Sequence, residues 1–246
     1  MVQDADNLRK SHGNSIAIMT FNVYMNGFAN TSAANCTLMA ILESNADVVC
    51  LQESNKGWRG VLENCEGLRE TYPHRCFRDD MGNYGGRAVL SKYAINESQW
   101  SDRLYNHWYG ALRVSINAIE RIIQILIVHL KAPFPSNPWT VQHERMEEIK
   151  AHLGRVKDQN MMIIVGDFNN HSGPSHKFLQ DKGYTNSLLA RTDYPFLCST
   201  WHFGPLGMLY DHVYFNKKDY TLKECEIRKV GGSDHWPIIA TFEFMT

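Results

Sequence analysis

Several features are missing from these 246 residues, and each absence removes a class of protein. No apolar run is long enough to cross a bilayer as a helix, which takes roughly 20 residues. The longest, Ile122 to Leu130, is interrupted by Gln124 and His129 and reads as a buried strand. Neither charge dominates. The 25 basic and 26 acidic residues leave a formal net charge of −1, so no global positive field draws in nucleic acid and only a local patch can do so. A basic-aromatic nucleic-acid motif is absent as well. None of the six cysteines (Cys36, Cys50, Cys65, Cys76, Cys198, Cys225) forms a CxxC pair, which removes zinc knuckles and thioredoxin-like redox sites. Cys50 lies in an apolar run and reads as a small core residue. Reduced thiols in a cytoplasmic or nuclear setting are expected, with disulfides and secretion left open. The polar stretch Met1 to Asn14 has no apolar h-region, so residues 1–14 read as a flexible leader rather than a secretory signal. No linker, repeat or low-complexity tract follows, so residues 15–246 read as a single domain, expected to be a monomer.

What is present is mostly strand. Ile16 to Phe21, Asp47 to Leu51, Gly86 to Leu90, Ala111 to Asn117, Arg121 to Leu130, Met161 to Val165, Asp211 to Phe215 and Pro237 to Phe244 are short and apolar or β-branched. Thr37 to Glu43 belongs to a helix. Met146, Ile149, Leu153 and Val156 fall on one face of a second, over His143 to Val156. Two packed sheets covered by helices fit this order. The polar residues Asn22, Glu53, His129, Asp167, Asn169, Asp211, Asp234 and His235 all fall at strand ends or just beyond. In layered α/β proteins catalytic groups converge there, on loops held by a rigid scaffold.

Hydrolysis of a phosphodiester needs a hard divalent cation, oxygen ligands for it, a group that aims a water, and donors for the phosphoryl oxygens. Each requirement has a candidate. Asn22 in MTFNV and Glu53 in LQES place an amide and a carboxylate at adjacent strand ends, a donor set suited to magnesium; alone, each would pass for a loop cap. In IVGDFNN, Asp167 can orient a water and Asn169 can donate to a phosphate oxygen, or the pair forms an Asx turn after a strand. In GGSDHWP, His235 can donate to a phosphoryl oxygen as an imidazolium, and Asp211 in YDHVYF is its candidate orienting acid. His212 would point to the opposite face of that strand and reads as structural.

In order, TFN, LQE, VHL, GDFN, DHVYF and SDHWP resemble the motifs of the endonuclease/exonuclease/phosphatase superfamily, the DNase I-like fold, from about Ile18 to Phe242. The resemblance implies a four-layer α/β/β/α sandwich of two mostly antiparallel sheets flanked by helices, with the active site at one edge. It implies a magnesium or manganese ion and a phosphoester substrate, nucleic acid among the candidates. Glu53 would be the main metal ligand, Asn22 a nearby ligand or phosphate contact, and Asp234 at or near the metal. Asp167 would position or deprotonate the attacking water, Asn169 would help orient water and phosphate, and Asp211 would orient His235 on the scissile phosphate. His129 matches a position that varies in the superfamily; a histidine there can protonate the leaving oxygen or contact phosphate. Apurinic endonucleases carry an acid where this chain has Tyr24, which weakens an abasic-site reading. The tryptophan-cysteine-aspartate-arginine motif of inositol polyphosphate 5-phosphatases is absent. SDHW resembles tyrosyl-DNA phosphodiesterases of the second type, whose usual GDTN is here GDFN. The leading expectation is a phosphodiesterase or nuclease; a sphingomyelinase-like lipid-head-group phosphodiesterase, or a phosphatase, is the alternative.

Segments between the motifs should set the substrate. Asp79 to Arg87 (DDMGNYGGR) reads as a glycine-rich loop near the site. Arg87 either binds a phosphate bidentately or is an exposed arginine at a hairpin turn, the latter being the simpler reading. Lys131 to Trp139 (KAPFPSNPW) can offer Phe134 or Trp139 as a stacking platform or an acyl wall, and Trp201, His202 and Phe203 pose the same choice. His171 and His176 lack a compact tetrahedral ligand set, so a zinc site is not expected.

Overall fold

A computed structural model of the chain describes residues 13–79, 85–102, 109–133, 137–191 and 198–245. Most of the expected leader (1–12), most of the glycine-rich loop (80–84), Phe134 and the side chain of Trp139 lie outside the described residues. Asn14, at the end of the expected leader, exchanges hydrogen bonds with Phe244.

In chain order the elements are β1 (Ser15–Asn22), α1 (Thr31–Glu43), β2 (Val48–Gln52), α2 (Lys56–Asn64), α3 (Glu66–Thr71), β3 (His74–Arg78), β4 (Arg87–Ser91), β5 (Ala94–Ser101), β6 (Ala111–Ala118), β7 (Arg121–His129), α4 (Pro138–Gly154), β8 (Met162–Asp167), α5 (Pro174–Asp181), β9 (Tyr184–Asn186), β10 (Trp201–Phe203), β11 (Leu206–Met208), β12 (Asp211–Asn216), β13 (Tyr220–Ile227) and β14 (Ile238–Phe244). They build one six-stranded sheet in the order β13-β14-β1-β2-β4-β3, a second in the order β5-β6-β7-β8-β12-β9, and a separate β10-β11 ribbon. Among the described residues only β1·β2 and β7·β8 pair in parallel within the sheets.

Alternation along the strands sorts their side chains into layers. Ile16 and Ile18, Val48 and Cys50, Ile125 and Ile127, Ile163 and Val165, and Val213 and Phe215 face inward and fill the space between the sheets. The intervening Met19, Phe21, Val49 and Leu51 face outward, where Ala40, Ile41, Trp58, Leu62 and Leu68 of α1 to α3 cover them. Leu126, Met162, Ile164 and Tyr214 meet Ile149, Leu153 and Leu179 of α4 and α5 on the other outer face. The result is the four-layer α/β/β/α order. Each fully buried Ile, Val or Leu contributes roughly 1.5–3 kcal/mol, so these layers supply most of the stabilisation.

The helices start where the sequence supplies caps. Asn30 accepts from Ala33 N and Asn55 from Gly57 N and Trp58 N, each satisfying backbone donors that have no partner within their own helix. Trp58 is fully buried and donates its indole Nε1–H to Tyr24 O (2.8 Å), which pins α2 beside the end of β1.

Gly166 allows β8 to reach the sheet end. Its φ is +138°, and a Cβ there would lie 2.0 Å from Val128 O. On the helix side of the same sheet, His212 Nε2 lies 2.8 Å from Asn170 O and its Nδ1 2.9 Å from Asn186 Nδ2. His176 packs edge-on against it and contacts Tyr214 OH and Asn170 through its two nitrogens. Burial holds His212 well below its ordinary range and draws His176 down from 6.5 to about 4. Both rings are therefore neutral in the folded protein near neutral pH. A base with a depressed folded pKa contributes stability above its unfolded pKa and loses it as pH falls toward the folded value. For His176 that window runs from 6.5 down to about 4. The denaturant midpoint should fall less steeply across it in His176→Gln than in the unaltered protein; parallel slopes would show that the ring is already charged in the native state.

Candidate active site

The inward-facing rows of both sheets turn polar at one edge of the sandwich. Three strand ends of the second sheet lie side by side, because β7 pairs His129 with Asp167 and β12 pairs Asp211 with the same Asp167. In the first sheet Asn22 pairs with Gln52, and Glu53 follows at once. Glu53 has a φ of +59°, a left-handed turn that ends β2 at the site. Thr20 and Gln52, one step further in, satisfy each other across the strands.

A loop pairing delivers His235. Trp201 forms an isolated antiparallel bridge with His235, His202 N donates to Asp234 O (2.9 Å), and Trp236 N donates to Thr200 O (2.6 Å). Buried Thr200 accepts from Tyr210 N and Asp211 N, so one residue ties this loop to the start of β12. Ser233 Oγ–H donates to Asn22 O (2.7 Å) and accepts from His235 N (3.1 Å), fixing the same loop to the first sheet. His235 Nδ1 then lies 2.7 Å from Asp211 Oδ2, and its Nε2 lies 3.8 Å from Asp167 Oδ2.

The amide of Asn22 joins the halves: its Nδ2 donates to Glu53 Oε1 and to Asp167 Oδ2, both at 3.0 Å, while its Oδ1 accepts from Tyr24 N. Glu53 Oε2 accepts from Met25 N (2.8 Å). His129 Nε2 stands 3.5 Å from Asp167 Oδ2 and 4.0 Å from Glu53 Oε1. Asn169 donates its backbone N–H to Asp167 Oδ1 (2.7 Å) and its Nδ2 to Leu130 O (2.9 Å). Asp234 is partly exposed and accepts from the indole N–H of Trp201 (3.1 Å). All eight polar residues singled out from the sequence thus share one edge.

Burial controls the charges. It raises Asp167 to about 7, aided by Asp211 and opposed by His235 and two hydrogen bonds. Burial also raises Glu53, and the like charge of Asp234 adds to the rise. For His235, burial works downward, but Asp211, Asp167 and Asp234 override it and lift the ring to about 10. His129 goes the other way. Burial, Arg87 and His235 all push it well below its ordinary range, so it is a neutral donor or acceptor.

Asp167, Asp211 and His235 offer ligand-type atoms within 4.8 Å of one another. In that trio an imidazolium between two carboxylates already offsets part of the negative charge. The oxygen set of Glu53 and Asp234, with Asn22 beside it, suits a hard divalent cation better. Their mutual repulsion and the buried Glu53 carboxylate leave negative charge that a cation would neutralise.

Three positions depart from the sequence reading or escape it. Arg87 is not an exposed turn residue: it is fully buried at the start of β4, with Nη1 on Gly86 O and Nη2 on Gly110 O. The apolar AVLS run that follows pulls it into the sandwich. Ser233 had a signal in its place within SDHW, whereas Tyr109, which lies on the His129 ring, had none.

The Endonuclease/Exonuclease/phosphatase family profile matches residues 19–235. Solved structures with the same fold include D. rerio TDP2 complexed with single strand DNA product (19% identity, TM-score 0.69, covering 93% of this chain and 99% of that one). The human Nocturnin catalytic domain with bound sulfate anion is also similar (18%, 0.70, 94% and 95%), as is SmcL (19%, 0.67, 93% and 99%). No curated protein matches it significantly in sequence. Among the described residues no helix is long and apolar enough to cross a membrane. The strand-end motifs, the paired six-stranded sheets and the matched span agree: this chain belongs to the endonuclease/exonuclease/phosphatase family and has its hydrolase fold.

Proposed function

We propose that the protein is a magnesium- or manganese-dependent phosphodiesterase acting on nucleic acid or a nucleotide-like ester. The observation that carries this reading is the buried row His129–Asp167–Asp211 with His235, facing Asn22 and Glu53 across the sandwich edge. Glu53 and Asp234 would hold the cation, with Asn22 orienting Glu53. The ion would supply Lewis-acid neutralisation of the phosphoryl charge.

The protein's own groups divide the remaining work. Asp167, lifted to about 7, can hold a water by hydrogen bonds and take its proton near neutral pH as it attacks phosphorus in line, while the opposite P–O ester bond breaks and the departing oxygen takes its proton from solvent. Asn22 Nδ2 and Asn169 N aim its two oxygens. Asp211 keeps His235 protonated, so that Nε2–H is presented to a phosphoryl oxygen as charge develops there. His129, held neutral, contributes an uncharged N–H to the same phosphate rather than acting as general acid.

TDP2 crystallised with a single strand DNA product supports a nucleic-acid substrate. One observation favours a lipid head group instead: Phe203, Leu206 and Met208 are exposed on the β10-β11 ribbon, whose Trp201 bonds Asp234. A magnesium-dependent panel of single- and double-stranded DNA, RNA, tyrosyl-phosphate esters, sphingomyelin, phosphoinositides and phosphomonoesters decides between them. Single-stranded nucleic acid or a nucleotide ester should turn over fastest; selective cleavage of sphingomyelin would overturn that choice.

Three outcomes follow from the assignments. Activity should vanish in excess chelator and return with magnesium or manganese, and Glu53→Gln should raise the metal concentration needed for half-maximal rate; undiminished turnover in chelator would sink the metal reading. Asp211→Asn removes the carboxylate bonded to His235, so the imidazole should titrate far below about 10 in NMR of the metal-free protein. The alkaline limb of kcat should move to lower pH with it, and an unmoved limb would mean that the His235 charge is not required. His129→Ala should slow esters with poor and activated leaving groups alike, by about 10²-fold as for loss of one oxyanion donor. A deficit confined to poor leaving groups would identify His129 as the acid.

A further inference from the structure

Arg87 opens β4 in the first sheet, yet its guanidinium reaches the second, donating from Nη2 to Gly110 O (3.2 Å) just before β6. It stands 5.6 Å from the centroid of the Tyr109 ring. Tyr109 in turn stacks on His129, with centroids 4.2 Å apart and planes 23° from parallel. Arg87, Tyr109 and His129 therefore form a column joining the two sheets beside the active site. Its base is tightly wedged. A Cβ on Gly86 would lie 1.8 Å from Ser54 O, in the residue after Glu53, and one on Gly110 would lie 2.4 Å from the Trp100 ring.

A working imidazole is ordinarily fixed by a hydrogen bond to its second nitrogen. His235 has that bond, from Asp211. His129 does not: its Nε2 faces Asp167 and Glu53, and its buried Nδ1 meets no hydrogen-bond partner among the described residues. We propose that Tyr109 is the positioning residue for His129, its stacked ring fixing the plane of the imidazole, and that Arg87 braces Tyr109 across the two sheets. The phenol ring blocks rotation of the imidazole about its Cβ–Cγ bond and keeps Nε2 aimed between the two carboxylates. The proposal rests on His129 serving the phosphoester site, and it accounts for a buried arginine that the chemistry itself does not use.

The test is a double-mutant cycle with a separate structural readout. Tyr109→Phe keeps the ring face and should keep the unaltered kcat. Tyr109→Leu should lower kcat by about 10- to 100-fold, the effect of misplacing a catalytic group by an ångström or less, with KM little changed. In a His129→Ala background the same Tyr109→Leu change should cost nothing more, because the group it positions is gone. In nitrogen-edited NMR of the metal-free protein, the His129 ring signals should be unshifted in Tyr109→Phe and shifted or broadened in Tyr109→Leu. Should Tyr109→Leu not fold, Tyr109→Met is read in the same way. Loss that persists undiminished in the His129→Ala background, or ring signals unmoved by removing the aromatic face, would overturn the proposal. If the unaltered protein hydrolyses no phosphoester, the activity reading has failed, and the ring signals still decide what holds His129.

Discussion

Strand β8 is paired on both sides, and its register with those two neighbours is the constraint on which the site depends. Side chains alternate along a strand, so a slip of one residue would turn Asp167 toward the helices and set it opposite Val128 or His212 in place of His129 and Asp211. The parallel pairing with β7 and the antiparallel pairing with β12 instead align His129, Asp167 and Asp211 in one row. Gly166 lets this happen, since any side chain at its φ of +138° would collide with the β7 backbone. The same alternation that packs Val165, Ile127 and Val213 between the sheets thus delivers the chemistry two residues further on.

The row brings buried negative charge together, which costs stability unless it is balanced. The protein offsets it in three ways: an imidazolium at His235, amide and backbone N–H donors from Asn22, Met25 and Asn169, and a residual oxygen-rich face at Glu53 and Asp234 that suits a cation. The two histidines of the site end in opposite charge states for physical reasons. Both rings are buried, but His235 is hydrogen-bonded to a carboxylate, whereas for His129 burial is reinforced by the guanidinium of Arg87 and no hydrogen bond to a carboxylate among the described residues opposes it. A site built this way holds a charged hydrogen-bond donor at His235 beside a carboxyl at Asp167 that titrates near neutral pH.

How much of this was legible in the sequence follows from where each strand lies. The strands read from apolar runs are β1, β2, β4, β6, β7, β8, β12 and β14, the eight interior strands of the two sheets. Of these two sheets, the four strands not read, β3, β5, β9 and β13, are the four edges. An edge strand has a neighbour on one side only and shares its faces with solvent. RCF of β3 and NESQ of β5 therefore carry no apolar pattern, and their structure is decided by pairing with β4 and β6. Helix α2 was missed because two glycines dilute its pattern; Trp58 and its Asn55 cap hold it in place.

The sequence alone determined the order of the polar motifs, because each acid, amide or imidazole sits where an apolar run ends, and the chemistry of those residue types restricts what such a cluster can do. It determined the inward and outward alternation, including that His212 turns away from Asp211. Only the tertiary structure decided which nitrogen of each histidine meets which carboxylate, that Ser233 ties the SDHW loop to Asn22, and that Arg87 lies buried beside Tyr109. These are contacts between residues far apart in the chain, and their geometry depends on strand register and on the spacing of two packed sheets. Neither quantity is written in any local pattern. Both arise when the whole inter-sheet core closes, and the charge state of each site residue is set by the burial that this closure imposes.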